Sequence, residues 1–215
     1  MSSEIKSTTV QTNSLKNKTG TRVLAADSGS AWSWGSSVPK GSVIEQICSP
    51  CDGSSITVQS GTYTVPNVTS PYDLTTTYNP LDGSVIDYTP PTGTQTVVYS
   101  INFHYSLKDA HNICNIKLYL DNDSGTETEV TDFRASIGGE GYLEGRYTLK
   151  WAFHIGGSNN DASGRRATWT SPRTMQYKIR ENDSDTESKY NTLYFWEAGN
   201  SGTLVRPLIE ITALA

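Results

Sequence analysis

This 215-residue sequence is poor in cysteine, methionine, charge and long apolar runs. It has 3 Cys and 2 Met, only 18% of its residues are charged, and only 35% are hydrophobic. No apolar run approaches the ~20 residues that a membrane-spanning helix needs, so we expect no membrane insertion. The opening residues 1–6 lack the apolar core of a signal peptide, so we do not expect export by that route.

Positive charge is also scarce, since 17 Lys and Arg stand against 22 Asp and Glu, for a net charge of -5. The longest basic run is the pair Arg165 and Arg166. A nucleic-acid surface needs clustered positive charge to neutralise phosphates, so we expect no nucleic-acid partner.

The three cysteines do not form a recognisable metal or redox motif. Cys48 and Cys51 make a single C-x-x-C with no second ligand pair, as a zinc knuckle would require. Asp52-Gly53 then predicts a turn where a redox motif would open a helix. We therefore expect ordinary thiols and no cofactor or metal, with a local disulfide or metal at Cys48 and Cys51 as the alternative.

Small hydroxyl side chains replace the missing charged and apolar residues. The chain has 26 Ser and 27 Thr, a composition that can indicate disorder. However, it also has 12 Tyr, 5 Trp and 4 Phe, which predict a folded core over most of its length.

Residues 1–37 form a distinct first segment with few large apolar side chains. Such a segment cannot build a core of its own, so it is either disordered or ordered by a partner. Its two apolar clusters contain Val23 and Leu24, and Trp32 and Trp34. We interpret these four residues as attachment or assembly contacts of an extended N-terminal arm. The alternative is that they fold back on the main domain.

Residues 38–96 are interpreted as a small β unit with a long Pro-rich loop. Seven of the nine prolines lie between Pro39 and Pro91, which excludes central helices there. Long loops in compact domains are often functional or lie in an interface.

Residues 97–215 show the period-2 alternation of half-buried strands. In Val97–Tyr105 every odd position is apolar or aromatic, and in Tyr142–Ile155 Lys150 and His154 lie on the polar face. Further strands are predicted at Ile113–Leu120, Thr174–Arg180, Thr192–Trp196 and Leu204–Ala213, the last needing an edge position or a bulge at Pro207. The predicted fold class is all-β, an antiparallel two-sheet, jelly-roll-like sandwich preceded by the arm.

No catalytic residues are predicted. His104 and His154 occupy similar strand contexts and would meet if their strands were neighbours, although polar sheet residues usually have a structural role. The acidic loops at 121–125 and 181–185 are rich in oxygen ligands but lack EF-hand spacing, so solvated turns are favoured over calcium sites.

Two loops have the composition of a sugar-binding surface, with aromatic side chains beside Asn, Asp and Arg. The first contains Asn159, Asp161, Arg165, Arg166 and Trp169, and the second contains Tyr72 and Tyr78. We interpret these seven residues as candidate ligand contacts. The alternatives are that Trp169 begins the next strand and that the loops face neighbouring subunits.

Within the arm, the opening 3–6, Lys18-Thr19-Gly20-Thr21 and Ala26-Asp27-Ser28-Gly29 carry a family resemblance. They resemble the N-terminal segments of virion fibre and adhesin-like structural proteins of marine tailed bacteriophages. In those proteins a thin N-terminal segment attaches a β-rich head, usually as a trimer. Beyond about residue 30 the resemblance is architectural only, to a tumour-necrosis-factor-like or capsid jelly roll. The long repetitive shaft of many fibres is absent, so the resemblance implies a compact member.

The resemblance implies a non-enzymatic virion surface protein assembled in the host cytoplasm. Its expected partners are itself, as a homotrimer, other capsid or tail proteins bound through the arm, and a host surface glycan. The sequence favours a short tail fibre or host-attachment module, with a capsid decoration or cement protein and a lectin-like carbohydrate-binding module as alternatives.

Overall fold

A computed structural model of the chain describes residues 14–16, 22–26, 32–34, 39–107, 112–139, 143–182, 188–193 and 203–215. The chain divides into two compact units, one comprising Met1–Ser42 with Ala215 and the other Val43–Leu214. The described ranges contain strands and turns but no helix, and hence none that could cross a bilayer. The all-β fold class expected from the sequence is confirmed.

The first unit contains a three-stranded antiparallel sheet built from β1 (Ser14–Lys16), β2 (Arg22–Ala26) and β3 (Trp32–Trp34). The middle strand β2 pairs with both others, and Leu24 is opposite Leu15 on one side and Trp34 on the other. The predicted arm therefore includes a small meander rather than a single extended stretch.

The described residues of the second unit, which we call the body, form fifteen strands. In chain order they are β4 (Val43–Pro50), β5 (Ser55–Val58), β6 (Gly61–Thr64), β7 (Tyr72–Asp73), β8 (Asn79–Pro80), β9 (Ile86–Tyr88), β10 (Thr96–Leu107), β11 (Asn112–Asp121), β12 (Glu127–Gly139), β13 (Leu143–His154), β14 (Arg173–Glu181), β15 (Ser188–Tyr190), β16 (Thr192–Leu193), β17 (Thr203–Leu204) and β18 (Leu208–Leu214).

Two antiparallel sheets form the sandwich. In the first sheet, β13 pairs along one side of β10, while β18 and β15 pair with different parts of its other side. Strand β4 then pairs with β18, and β7 pairs with β15. The second sheet has the order β12-β11-β14-β8, and β9 also pairs with β14. Strand β4 belongs to the predicted 38–96 segment, and it shares the first sheet with strands of the 97–215 segment. The two segments thus contribute to one core.

The core lies between the two sheets and follows the alternation seen in the sequence. The odd-numbered residues from Val97 to Tyr105 are fully buried on β10. Across the sandwich, Tyr99 of β10 stacks on Tyr177 of β14 with ring centroids 5.0 Å apart. Stacked aromatic pairs add to the stability gained from area burial alone.

The predicted strand Leu204–Ala213 is divided by Pro207. Strand β17 ends at Leu204 and β18 begins at Leu208. Pro207 has no N–H to donate, but its carbonyl oxygen accepts a hydrogen bond from the backbone N of Cys51 at 2.9 Å. Pro207 thus lies neither at an edge position nor at a bulge, as the sequence led us to expect, but in a break between two strands. The second half of the predicted strand Thr192–Trp196 lies outside the described residues.

Candidate functional site

A groove of about 520 Å³ opens at the edge of the sandwich, beside the end of β13. We call it the basic groove because three of its residues are Lys150, His154 and Arg165. Its lining also includes two small apolar residues, an indole, a carboxylate and a hydroxyl, from Val98, Ala152, Trp151, Asp132 and Ser163.

The register of β10 and β13 places the apolar and basic residues of the groove together. Val98 is opposite Ala152, and Lys150 and His154 are two residues away on either side of Ala152. Because side chains alternate along a strand, these three β13 residues share the outer face of the sheet. The His154 Nδ1 lies 3.3 Å from the Thr96 hydroxyl oxygen, which orients the imidazole.

The loop of residues 156–168, which follows β13, forms the other wall of the groove. The backbone N of Asp132 donates to the Ala162 carbonyl oxygen at 2.9 Å, which ties this loop to β12. The indole N–H of Trp151 donates to the Ser163 carbonyl oxygen at 3.1 Å, which ties it to β13. These bonds hold Ser163 and Arg165 at the rim on a fixed backbone.

Buried arginines anchor the base of the same loop. Arg166 is only 1% exposed, and its Nη1 lies 2.7 Å from the Asp161 carboxylate, while its Nε and Nη2 have no hydrogen-bond partner among the described residues. Arg173 forms an ion pair with Asp123, which also accepts a hydrogen bond from the Asn159 amide at 2.8 Å. The hydrogen bonds from Arg173 and Asn159 lower the pKa of Asp123.

The structure divides the predicted sugar-binding loop into surface and interior residues. Asn159, Asp161 and Arg165 are exposed, but Arg166 and Trp169 are buried. Trp169 packs edge-on against Phe153, and its indole N–H donates to the Tyr88 carbonyl oxygen at 2.9 Å. The interpretation of Arg166 and Trp169 as surface ligand contacts is therefore corrected, because both are part of the interior.

Arg165 is the one predicted ligand residue that lines the basic groove. Asn159 and Asp161 are instead engaged in holding the loop, through Asp123 and Arg166. Composition does not identify Lys150, His154 and Asp132 as residues that line the same groove as Arg165. The polar face of β13 in the sequence pattern was the signal for the first two, while only the fold brings in Asp132.

Tyr72 and Tyr78 lie outside the basic groove. Tyr72 is paired with Tyr190, with ring centroids 5.1 Å apart. The Tyr78 ring has the Lys117 ammonium 4.8 Å and the Arg180 guanidinium 4.9 Å from its centroid. Both tyrosines are half-buried and already have protein partners.

The two strand histidines do not meet, although their strands are neighbours. His104 is opposite Arg146 and His154 is opposite Thr96, because β10 and β13 are antiparallel and the two residues fall at opposite ends of the pair. His104 is 6% exposed, and burial lowers its pKa.

All three cysteines are free thiols. Cys48 is exposed on the outer face of β4, whereas Cys51 and Cys114 are buried. The Cys51 thiol donates to the Gly83 carbonyl oxygen at 3.3 Å. Burial raises the pKa of Cys51 to about 12 and that of Cys114 to about 11. The disulfide alternative for Cys48 and Cys51 is therefore not observed.

The first acidic loop is a turn stabilised by its own side chain. The Asn122 Oδ1 accepts hydrogen bonds from the backbone N of Ser124 at 2.9 Å and of Thr126 at 3.0 Å. Residues 183–185 of the second acidic loop lie outside the described residues. Within the described ranges, no three His, Cys, Asp or Glu side chains are placed to share a metal ion.

The four predicted attachment residues lie in the first unit. Val23 and Leu24 are in β2, and Trp32 and Trp34 are the ends of β3. Their side chains lie outside the described part of the structure.

No protein-family model matches this chain, and no curated protein matches it either. Among solved structures it is similar to a chain of infectious bursal disease virus strain Gx, with 9% identity and a TM-score of 0.35, over 80% of this chain and 37% of that chain. A chain of strain Gt gives 10% identity and a TM-score of 0.24, over 85% and 46%. A mutant VP2 protein of the same virus, from derived T=1 particles, gives 11% identity and a TM-score of 0.23, over 85% and 44%. This chain thus spans less than half the length of each of these three chains.

Proposed function

We propose that this chain is a non-enzymatic structural protein of a virion surface, a short fibre or host-recognition module of a tailed bacteriophage. The observation that carries the proposal is the division into a small N-terminal unit and a large β-sandwich body. In this proposal the first unit attaches the protein to the particle, and the body faces outward.

The size of the first sheet supports an attachment role. Its three strands have three, five and three residues. Sheets this small bury little apolar surface by themselves, so they gain most of their stability from a partner. A partner that adds a strand or covers the face of β3 would order this unit on the particle.

The body has features that suit recognition. Its sheets enclose a continuous core, and a groove opens at one edge, lined by charged side chains that have no partner among the described residues. We also propose a homotrimer, in which three copies of a weak site bind together with higher avidity than one. A cement protein would need no such groove, and this favours recognition over capsid decoration.

Deletion of residues 2–37 tests the attachment role. We expect a tagged copy of the deleted protein to keep a cooperative melt followed by circular dichroism, because the body has its own core. The same copy should be absent from virions that are assembled in its presence. A matched variant, Trp32→Ser with Trp34→Ser in the full chain, is expected to reduce incorporation without changing the melt. Loss of folding on deletion, or normal incorporation of the deleted protein, would contradict the proposal.

The position on the particle separates the fibre from the cement function. Electron density that places the body free at a tail or vertex supports the fibre, whereas density that places residues 1–37 across capsomer junctions shows a cement protein. The native mass in solution tests the trimer, which should weigh three times the 23.5 kDa of one chain.

A further inference from the structure

Lys150 and Arg165 of the basic groove differ from most other cations of the body in having no side-chain partner among the residues that the structure describes. Lys117, Lys178 and Lys189 form ion pairs with acidic side chains, and so do three arginines, Arg134, Arg166 and Arg173.

By contrast, Lys150 and Arg165 are exposed and have no hydrogen bond or ion pair from their side chains to the described residues. Two cations without a partner among the described residues, placed at one groove of a chain with a net charge of -5, can attract an anion.

The two cations come from different elements, and an apolar surface lies with them. Lys150 is on β13 and Arg165 is on the 156–168 loop, while Val98 and Ala152 contribute small apolar side chains on the outer face of the sheet. The volume of about 520 Å³ lies within the ~300–1,000 Å³ typical of small-molecule sites. A ligand for this groove has an anionic group for the cations and an apolar face for Val98 and Ala152.

The remaining polar groups of the groove indicate hydroxyl groups on the ligand. The Asp132 carboxylate, which has no side-chain partner among the described residues, can accept hydrogen bonds from hydroxyls. The Ser163 hydroxyl can donate or accept. A nucleic acid fits less well, because its phosphate backbone needs a row of several cations. This groove has only the two cations Lys150 and Arg165, and the Asp132 carboxylate lines it as well.

We propose that the basic groove binds an acidic saccharide through a sugar carboxylate. Lys150 and Arg165 pair with that carboxylate, Val98 and Ala152 contact the apolar face of the sugar ring, and Asp132 accepts hydrogen bonds from ring hydroxyls. This deepens the proposed function and rests on it for the biological source of the saccharide, a host surface polymer.

Titration calorimetry of the full chain tests the proposal with three probes, trigalacturonate, the neutral trisaccharide maltotriose and inorganic phosphate. We expect trigalacturonate to bind at least about tenfold more tightly than either of the others, since only it has both the charge and the ring. Its affinity should fall at about 0.5 M NaCl, where charge interactions beyond a few Å are screened.

Variants locate the binding. Lys150→Gln and Arg165→Gln together should weaken trigalacturonate by about tenfold or more. Arg206→Gln removes an exposed cation outside the groove, whose Nε donates to the Val68 carbonyl oxygen at 3.2 Å, and should leave the affinity unchanged. The circular dichroism melt of the Lys150→Gln, Arg165→Gln double variant should match the parent, because the two side chains have no protein partner among the described residues to lose.

Several results would overturn the proposal: no binding of trigalacturonate, equal affinity for maltotriose or phosphate, or equal affinity of the double variant and the parent. The titration uses free protein and does not depend on virion assembly. A failure here therefore leaves the deletion experiment above unaffected, and a failure of that experiment leaves this one intact.

Discussion

The 156–168 loop provides a sharp test of how the body is packed, through the pair Gly164→Ala and Gly157→Ala. Both glycines have a left-handed backbone, with φ of +69° at Gly164 and +75° at Gly157. Both substitutions therefore introduce the same conformational strain, roughly 1–2 kcal/mol, and the same change in the unfolded chain.

The two positions differ in the space available to a new Cβ. A Cβ on Gly164 would lie 2.7 Å from the Phe153 Cδ1 and 3.2 Å from the Val130 Cγ2, whereas nothing lies within 4 Å of one on Gly157. Carbon atoms normally pack at ~3.5–4.0 Å, and Phe153 is fully buried against Trp169, so it cannot turn aside freely. Overpacking of this kind costs ~1–3 kcal/mol.

We therefore expect the free energy of unfolding to fall by about 2–5 kcal/mol in Gly164→Ala and by about 1–2 kcal/mol in Gly157→Ala. Urea denaturation of the full chain, followed by circular dichroism, measures both. In a Phe153→Leu background the additional cost at Gly164 should shrink, because the smaller side chain leaves room. Equal losses in the two glycine variants would refute the packing of this loop against Phe153.

Three further predictions concern buried polar groups of the body. At pH 8 a thiol reagent should modify the exposed Cys48 at once, but Cys51 and Cys114 only on unfolding. Both of these thiols are buried, and burial raises their pKa values to about 12 and about 11, so they are not available as thiolates. Rapid modification of all three thiols in the native protein would contradict this prediction. Glu45 is 5% exposed, and its carboxylate accepts a hydrogen bond from the Tyr88 hydroxyl at 2.8 Å. Glu45→Ala should therefore lower the free energy of unfolding, measured by urea titration, by about 1–3 kcal/mol, because it leaves a buried hydroxyl without its acceptor. Tyr88→Phe in the same background removes that hydroxyl and should recover part of the lost free energy. Five tyrosines are fully buried within the described ranges, and burial raises the pKa of each: Tyr88, Tyr99, Tyr105, Tyr177 and Tyr190. Such groups stabilise the fold fully below the unfolded pKa of ~10 and lose this contribution as the pH rises through the folded value. Phenolate absorbance from these five side chains should therefore appear only together with loss of the circular dichroism signal.

The longest strand, β12, shows where the sequence pattern fails. It pairs with β11, but the register shifts between Lys117 and Tyr119, whose partners are Arg134 and Glu129. The additional residues on β12 form a bulge, and a bulge interrupts the alternation of buried and exposed side chains. The alternation of apolar and polar residues that predicts β10 and β13 is therefore interrupted in β12, and the sequence pattern predicts no strand there.

The sequence by itself determined the all-β class and the inward faces of β10, β11, β13 and β14, because strand alternation is a local property of the chain. Only the tertiary structure decided that Arg166 and Trp169 lie inside while Arg165, their neighbour in sequence, lies at the groove. It also decided that His104 and His154 stay apart and that Lys150, Asp132 and Arg165 come together. These outcomes depend on register and on how a loop folds back on the sheet edge, and both are set by contacts between residues distant in the chain.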